Sequence, residues 1–196
     1  MKNIAVFASG RGTNFSAIAQ AVKKGSLKVN LALLVCDNPR APVLQKARMF
    51  KIKIALVQRE EEIIRSLREN KIDLVVMAGF MRMLSADFIH AYRNRIINIH
   101  PALLPSFKGA QGIKDAFSYG VKITGVTVHF VDEQMDHGPI ILQKEIVIRE
   151  FDTLKSLEAR IHKTEHLLYP QAIKLIAQGK IKLEGRKVRI TGREVE

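Results

Sequence analysis

A polar pair within Asn98-Ile99-His100-Pro101 is the clearest chemical signal in this chain. Residues two apart on a strand point to the same side, so Asn98 and His100 share one face. Pro101 cannot continue a central strand, which puts His100 at the carboxyl end of that strand. An amide beside an imidazole supplies two hydrogen-bond donors suited to a developing oxyanion. Ordinary hydrogen bonding within a loop is the alternative explanation of the same pair.

A glycine-rich turn, Ser9-Gly10-Arg11-Gly12-Thr13-Asn14, follows an apolar run and opens an amphipathic stretch. Backbone amides at such a turn face the positive end of a helix dipole, and this geometry binds phosphate. A dinucleotide site needs a third glycine where Phe15 stands, and the Walker pattern is absent. Thr13 and Asn14 add side-chain donors, which suits a phosphomonoester better than a dinucleotide. A turn that is merely tight is the alternative.

Two other loops carry weaker signals. The first runs from Asp132 to Pro139 and holds two aspartates and a Gly-Pro pair, which indicates a structured turn. A carboxylate in that turn would raise the pKa of a nearby imidazole by stabilising its cation. The second, Phe80-Met81-Arg82-Met83-Leu84, is apolar with one cation and could line a pocket for an aromatic heterocycle. A solvated turn and plain loop packing are the respective alternatives.

A metal-ligand pattern also occurs, since His162-Lys163-Thr164-Glu165-His166 has the His-x-x-Glu-His order of inverted zinc peptidases. Both imidazoles would lie on one helical face, and Glu184 could act as a third ligand. However, this helix is the last long element of an α/β pattern, and a five-residue pattern is easily met by chance. We therefore expect no metal and keep a zinc peptidase as a remote alternative.

Alternating strands and helices must position these motifs. Short β-branched apolar runs predict strands buried on both faces, and the amphipathic stretches between them predict helices. The predicted strands are Ile4–Ala8, Leu31–Val35, Ile54–Val57, Leu74–Ala78, Ile96–Ile99, Lys122–Val131 and Ile140–Ile148. The predicted helices are Asn14–Lys24, Val43–Phe50, Glu60–Asn70, Ser85–Tyr92, Ile113–Tyr119 and Thr153–Ala177. The sequence predicts an α/β fold with one doubly wound, mostly parallel sheet, helices on both faces and an antiparallel addition in the C-terminal half.

Composition limits the class of protein. The 196 residues fit a single domain spanning residues 1–196, and neither a membrane span nor a signal peptide is predicted. One cysteine, Cys36, excludes an internal disulfide and fits a reducing, cytoplasmic compartment. The net charge of +13 is spread along the chain, with few aromatic residues between the cations. This pattern favours a solvated surface that attracts small anionic ligands over a nucleic-acid surface.

Taken in order, these segments resemble the folate-dependent phosphoribosylglycinamide formyltransferase family across nearly the whole chain. The matching segments are Ser9–Asn14, Ala78–Leu84, Asn98–Pro105, Thr127–Asp132, Asp136–Ile140 and Glu165–Pro170. The resemblance implies a Rossmann-like formyltransferase fold and transfer of a formyl group from 10-formyltetrahydrofolate to the amine of glycinamide ribonucleotide in purine biosynthesis. It implies small-molecule partners, no nucleic acid, no membrane and no metal, in a monomer or homodimer.

The resemblance also implies roles for individual residues, with the ribonucleotide phosphate in the N-terminal half and the folate pocket and catalytic loop in the C-terminal half. The catalytic group would be Asn98, His100 and Asp136, with Asp136 keeping the imidazole of His100 charged near neutral pH. Glycinamide ribonucleotide would be held by Gly12, Thr13, Asn14, His162 and Glu165. Folate would contact Arg59, Met81, Arg82, Met83, Leu84, Asn98, Val131, Asp132, Met135 and Asp136.

The sequence departs from the family pattern at two places. Gln111 stands where members commonly have a histidine, and Gln cannot titrate. Only Arg59-Glu60 remains of a longer stretch whose arginine contacts folate. Two relatives that share the formyl donor are the alternatives, namely methionyl-tRNA formyltransferase and formyltetrahydrofolate deformylase. Both normally carry an additional domain that we do not expect here.

Overall fold

Residues 1–192 are described by a computed structural model, in which strands and helices alternate from the first residues onward. The last residues of the predicted domain, 193–196, lie outside the described residues. The chain divides into two units, Met1–Asn98 and Ile99–Glu196. Among residues 1–192, no helix is both long enough and apolar enough to cross a bilayer.

The first unit contains the parallel strands of the fold. Its strands are β1 (Asn3–Phe7), β2 (Asn30–Cys36), β3 (Lys53–Leu56), β4 (Leu74–Met77) and the start of β5 (Ile96–His100). Its helices are α1 (Thr13–Lys23), α2 (Val43–Met49), α3 (Glu60–Glu69) and α4 (Ala86–Ala91). The pairs β1–β2, β1–β4, β2–β3 and β4–β5 are all parallel. The apolar runs of β1 and β2 are buried almost throughout, because helical crossovers cover parallel sheets.

Local sequence determines where these helices begin. The Ser85 hydroxyl accepts a hydrogen bond from the Phe88 amide at 3.1 Å and caps the start of α4. Three glutamates occupy the first turn of α3, where negative charge is favoured by the helix dipole.

The second unit contains the antiparallel strands and the longest helix. After the end of β5 it comprises α5 (Gly112–Tyr119), β6 (Ile123–Phe130), β7 (Ile140–Val147), α6 (Leu154–Ala177), β8 (Ile181–Glu184) and β9 (Lys187–Ile190). Strands β6 and β7 pair antiparallel, and α6 packs against both of them. The side chains that α6 buries there include Leu157, Ile161, Tyr169 and Ile173.

Strand order confirms the predicted fold class. The seven-stranded sheet has the order β3-β2-β1-β4-β5-β6-β7, mostly parallel and ending in the antiparallel pair. Every predicted strand and helix is present, and no end differs from the prediction by more than one residue. The hairpin β8–β9 was not predicted, and it forms a separate two-stranded sheet.

Candidate active site

His100 ends β5 and is buried in the second unit. Its Nε2 lies 2.8 Å from the Phe107 carbonyl oxygen, to which a protonated Nε2 donates a hydrogen bond. Its Nδ1 lies 3.3 Å from Oδ2 of Asp136. Both ring nitrogens therefore face acceptors. Gly112 packs tightly against His100 and Phe107. An added Cβ at Gly112 would stand 3.0 Å from Nε2 of His100 and 2.9 Å from the Phe107 carbonyl oxygen.

Burial lowers the pKa of His100 below its ordinary value, although the Asp136 carboxylate and the Phe107 carbonyl both work to raise it. The imidazole is therefore neutral near pH 7. The prediction that Asp136 keeps this imidazole charged near neutral pH is wrong for the free protein, because desolvation of the cation outweighs the attraction of the carboxylate. A neutral ring has one proton, and the Phe107 carbonyl is the nearer of the two acceptors.

Asp136 is held by three groups of the second unit. Its Oδ2 accepts a hydrogen bond from the Gly109 amide at 2.8 Å, and its Oδ1 lies 3.7 Å from Nε2 of His129. Burial works to raise the pKa of Asp136, but His129, the Gly109 amide and His100 together bring it below its ordinary value. Asp136 is thus a carboxylate at neutral pH. Its φ of 48° lies in the left-handed region, which aspartate tolerates better than most residues.

The buried polar side chains of β6 were missed at the sequence level. Thr127 and His129 are buried and lie two residues apart in β6, which also buries the polar side chain of Thr124. The Thr127 hydroxyl donates to the Ala102 carbonyl at 2.7 Å and accepts from the Leu104 amide at 3.1 Å. Polar residues at alternate positions of a buried strand were the available signal, because such groups need partners.

Helix α6 presents Glu165 and His162 together. Nδ1 of His162 lies 2.9 Å from Oε2 of Glu165, three residues along the helix, and Glu165 is buried. Glu165 also contributes to the raised pKa of the fully buried Tyr169, after burial itself. Within residues 1–192, no group of three or more His, Cys, Asp or Glu side chains is arranged to hold a metal ion. The proximity of Glu165 to His162 agrees with the implied joint role of the two residues, which stays a prediction.

The loop between β6 and β7, which carries Asp136, also carries Val131, Asp132 and Met135. Nδ1 of His137 lies 2.7 Å from Oδ2 of Asp132, so the two residues form an ion pair when the imidazole is protonated. Met135 is exposed and Val131 is half-buried. Their predicted contact with folate is not tested by this geometry.

In the first unit, the glycine-rich turn lies between β1 and α1. Gly12 has a φ of 66°, and an added Cβ would stand 2.3 Å from Cγ2 of Val43. Only glycine fits this position, for reasons of both backbone conformation and space. Helix α1 starts at Thr13, and Nζ of Lys46 lies 3.4 Å from the Gly12 carbonyl oxygen. Helix α2 therefore confines the turn at Gly12 and supplies a nearby cation, Lys46.

Phe15 explains why this turn is not a dinucleotide fingerprint. Its ring is fully buried and packs edge-on against Phe50, with the ring centroids 6.4 Å apart. A dinucleotide site uses a glycine at this position to bring helix and strand close together. The aromatic ring therefore serves the core of the first unit.

The other predicted folate residues of the first unit differ in exposure. Met81 and Met83 are 71% and 65% exposed, whereas Leu84 is buried. Nε of Arg82 lies 3.9 Å from Oδ2 of Asp37. The side chain of Arg59 is 74% exposed and pairs with Glu62 at 3.4 Å, within the first turn of α3. Asn98 lies on β5 opposite Met77 of β4. The folate contacts of these residues stay predictions.

The sequence of the chain matches the formyl transferase family over residues 2–173, which include every element from β1 to most of α6. Together with the mostly parallel sheet and the buried histidine–aspartate pair, this match defines the class. The chain belongs to the formyl transferase family.

Within this class, the similarity is to phosphoribosylglycinamide formyltransferases. The enzyme of that name from Bacillus subtilis (strain 168) is 47% identical over 183 residues, covering 89% of this chain and 94% of the relative. The crystal structure of the phosphoribosylglycinamide formyltransferase from Anaplasma phagocytophilum has a TM-score of 0.94 and 41% identity, covering 99% of this chain and 96% of that one. A formyltetrahydrofolate deformylase from Pseudomonas syringae has a TM-score of 0.90 at 22% identity, covering 96% of this chain and 65% of that one, and shares the fold alone.

Proposed function

We propose that this protein transfers the formyl group of 10-formyltetrahydrofolate to the amine of N1-(5-phospho-D-ribosyl)glycinamide, a step in the synthesis of purine nucleotides. The observation that carries the proposal is the buried His100–Asp136 pair at the carboxyl end of β5 in a member of the formyl transferase family. The carboxyl ends of strands are where α/β sheets bind their ligands. Both substrates carry negative charge, and the net charge of +13 favours their approach.

The chemistry requires no protein nucleophile. The amine nitrogen attacks the formyl carbon and forms a C–N bond, while the carbonyl electrons move to oxygen and create a tetrahedral oxyanion. Collapse of this adduct breaks the bond between the formyl carbon and N10 of the folate. The amine loses one proton and N10 gains one, so the reaction is balanced in protons. A water molecule near Asp136 is the proposed route between the two nitrogens.

Donors to the oxyanion are the main contribution proposed for the protein. In the tautomer with its proton on Nε2, the neutral His100 ring would donate to the Phe107 carbonyl, whose oxygen lies 2.8 Å away. The oxyanion would replace that carbonyl as acceptor, and the amide of Asn98 would supply the second donor. Negative charge on the adduct favours uptake of a second proton by the imidazole. The adjacent Asp136 carboxylate would stabilise the resulting imidazolium.

We propose that each unit supplies one group of residues that bind the acceptor substrate, glycinamide ribonucleotide. Gly12, Thr13 and Asn14 would hold the phosphate by the amides that start α1, a helix of 11 residues. Glu165 and His162 on α6 would hold the glycinamide end, since a buried carboxylate pairs well with an amine or hydroxyl donor.

Folate binding is proposed for three loops, two in the first unit and one in the second. The residues are Arg59, Met81, Arg82, Met83 and Leu84 in the first unit and Val131, Asp132, Met135 and Asp136 in the second. Exposed methionines such as Met81 and Met83 adapt to a flat heterocycle, because the thioether side chain is flexible and polarisable.

The setting proposed for the reaction is the cytoplasm, in agreement with the free thiol of the single cysteine, Cys36.

A competition assay tests the proposed reaction. Formyl-folate is offered together with glycinamide ribonucleotide and initiator methionyl-tRNA, and a third reaction contains the donor alone. We expect formyl transfer to glycinamide ribonucleotide. Formylation of the tRNA instead would support the methionyl-tRNA formyltransferase alternative. Release of formate without an acceptor would support the deformylase.

A further inference from the structure

We propose that Arg186, in the turn of hairpin β8–β9, is a positioning residue for the loop that carries Asp136. No sequence motif assigned a role to Arg186 or to His137, and the hairpin itself was not predicted. The inference rests on the proposed function, because it concerns how this loop is held for the binding of formyl-folate.

The loop is first closed by its own side chains. The Asp132 carboxylate accepts a hydrogen bond from the Gln134 amide at 3.1 Å and lies 2.7 Å from Nδ1 of His137. The contact joins residues five positions apart, so the segment from Asp132 to His137 forms a ring that contains Asp136. At the base of the loop, the Phe130 amide donates to the Pro139 carbonyl at 2.8 Å.

Gly138 makes that base unusually tight. An added Cβ at Gly138 would stand 1.9 Å from the Phe130 carbonyl oxygen, so the two sides of the loop touch through backbone atoms. The base and the Asp132–His137 contact together determine the shape of the loop. Asp136 connects the loop to Gly109 and His100, but neither the base nor the Asp132–His137 contact connects it to hairpin β8–β9.

Arg186 supplies such a connection. Its Nη2 donates a hydrogen bond to the His137 carbonyl at 2.6 Å. Its Nη1 lies 3.3 Å from Nδ1 and 3.2 Å from Nε2 of the same imidazole. The Asp132 carboxylate lies against Nδ1, so Nε2 is the ring nitrogen that can accept a hydrogen bond from Nη1. The guanidinium therefore contacts both the backbone and the side chain of His137.

This contact acts next to the proposed chemistry. Asp136 precedes His137 in the chain and has a φ of 48°, a conformation that an L-residue keeps only when its surroundings hold it. Its carboxylate must reach both the Gly109 amide and His100. A fixed His137 carbonyl restricts the peptide that follows Asp136 and hence the direction of that carboxylate. The same loop supplies Val131, Asp132 and Met135 to the proposed folate site.

The substitution Arg186→Met tests the role, since it removes the guanidinium and keeps most of the apolar stem. Arg189→Met is the matched control on the same hairpin, because Arg189 pairs with Glu184 at 2.8 Å. Hydrogen exchange of the 131–138 amides is measured in each free protein, and steady-state kinetics give kcat and the KM for each substrate. Arg186→Lys is the conservative variant, since its ammonium can still donate to the carbonyl but has no second nitrogen to contact the imidazole at the same time.

We expect faster exchange of the loop amides in Arg186→Met and a rise of about tenfold in the KM for formyl-folate. The KM for glycinamide ribonucleotide should change less than twofold, and Arg186→Lys should recover part of the donor effect. Arg189→Met should behave like the wild-type protein in both measurements.

Loop exchange that is unchanged in Arg186→Met would overturn the proposal. So would a donor KM that rises no further than in Arg189→Met, or equal effects on the two KM values. Failure of the proposed function would look different, since the unaltered protein would then transfer no formyl group to glycinamide ribonucleotide. The exchange measurement does not depend on that activity and would still decide whether Arg186 holds the loop.

Discussion

The carboxylate of Asp136 lies 3.3 Å from the imidazole of His100, yet the pKa of that imidazole is lower than in an exposed histidine. Burial of the ring opposes the charged form more strongly than the carboxylate favours it. The pair therefore consists of a neutral ring and an anion in the free protein. We propose that it changes its charge state only when negative charge develops on the formyl oxygen.

Replacing His100 tests the oxyanion role. In His100→Ala one of two proposed donors is lost, so kcat should fall by about 10²–10³. His90→Ala is the control, since His90 is an exposed histidine on α4. Circular dichroism and thermal unfolding should show that both variants fold. Turnover of His100→Ala within a factor of about three of the control would contradict the role.

The charge state of His100 gives a second prediction. Nuclear magnetic resonance titration of the ring should give a pKa below the ordinary value of 6.5. In Asp136→Asn the pKa should fall further, because the substitution removes the carboxylate that works to raise it. Asp132→Asn is the control, since its carboxylate faces His137 instead. An unchanged or higher pKa of His100 in Asp136→Asn would show that the two groups do not interact in this way.

The same shift predicts how stability depends on pH. At pH values between the lowered pKa of folded His100 and its ordinary value of 6.5, the unfolded chain binds more protons than the folded one. The free energy of unfolding must therefore fall as the pH decreases below 6.5. His100→Gln removes this titration, so its urea-unfolding free energy should fall less than that of the wild-type protein between about pH 7 and pH 5. Parallel curves for the two proteins would contradict the lowered pKa.

The parallel part of the fold followed from local sequence. Runs such as Ile4–Ala8 and Leu31–Val35 are apolar on both faces, which only a sheet covered on both sides explains. The helix ends could also be predicted from the sequence, because a cap such as Ser85 accepts a hydrogen bond from an amide three residues away. These features depend on neighbours in sequence, and a single sequence contains them.

The hairpin β8–β9 was missed although its sequence carries a signal. Its strands, Ile-Lys-Leu-Glu and Lys-Val-Arg-Ile, have four residues each and alternate apolar and charged side chains. The Gly185-Arg186 turn between them is a two-residue turn typical of hairpins. In the site, Gly109, Phe107 and His129 meet Asp136 or His100 through contacts between distant parts of the sequence. Spacing along one chain cannot predict these contacts, nor the balance between burial and charge that lowers the pKa of His100.

The phosphate site gives a prediction that separates the two substrates. In Asn14→Ala the KM for glycinamide ribonucleotide should rise by about tenfold, because a donor near the start of α1 is lost. The KM for formyl-folate should stay within about twofold of the wild-type value. Gln20→Ala, at an exposed position of the same helix, is the control. Equal increases in both KM values would mean that the phosphate binds elsewhere.

Gly12 offers the sharpest test of how that turn is built. Gly12→Ala puts a Cβ 2.3 Å from Cγ2 of Val43 and forces an L-residue into a φ of 66°. The left-handed conformation costs about 1–2 kcal/mol and the overpacking about 1–3 kcal/mol, so the free energy of unfolding should fall by about 2–5 kcal/mol. Gly10→Ala is the matched control in the same turn. The φ of Gly10 lies outside the left-handed region, and no atom lies within 4 Å of an added Cβ. Urea unfolding measures both variants. In the double variant with Val43→Ala, only part of the steric loss should be recovered, because the Cβ of residue 43 still lies 2.6 Å from the added Cβ, and the conformational part remains. Equal stabilities of Gly12→Ala and Gly10→Ala would show that the turn is not confined by α2.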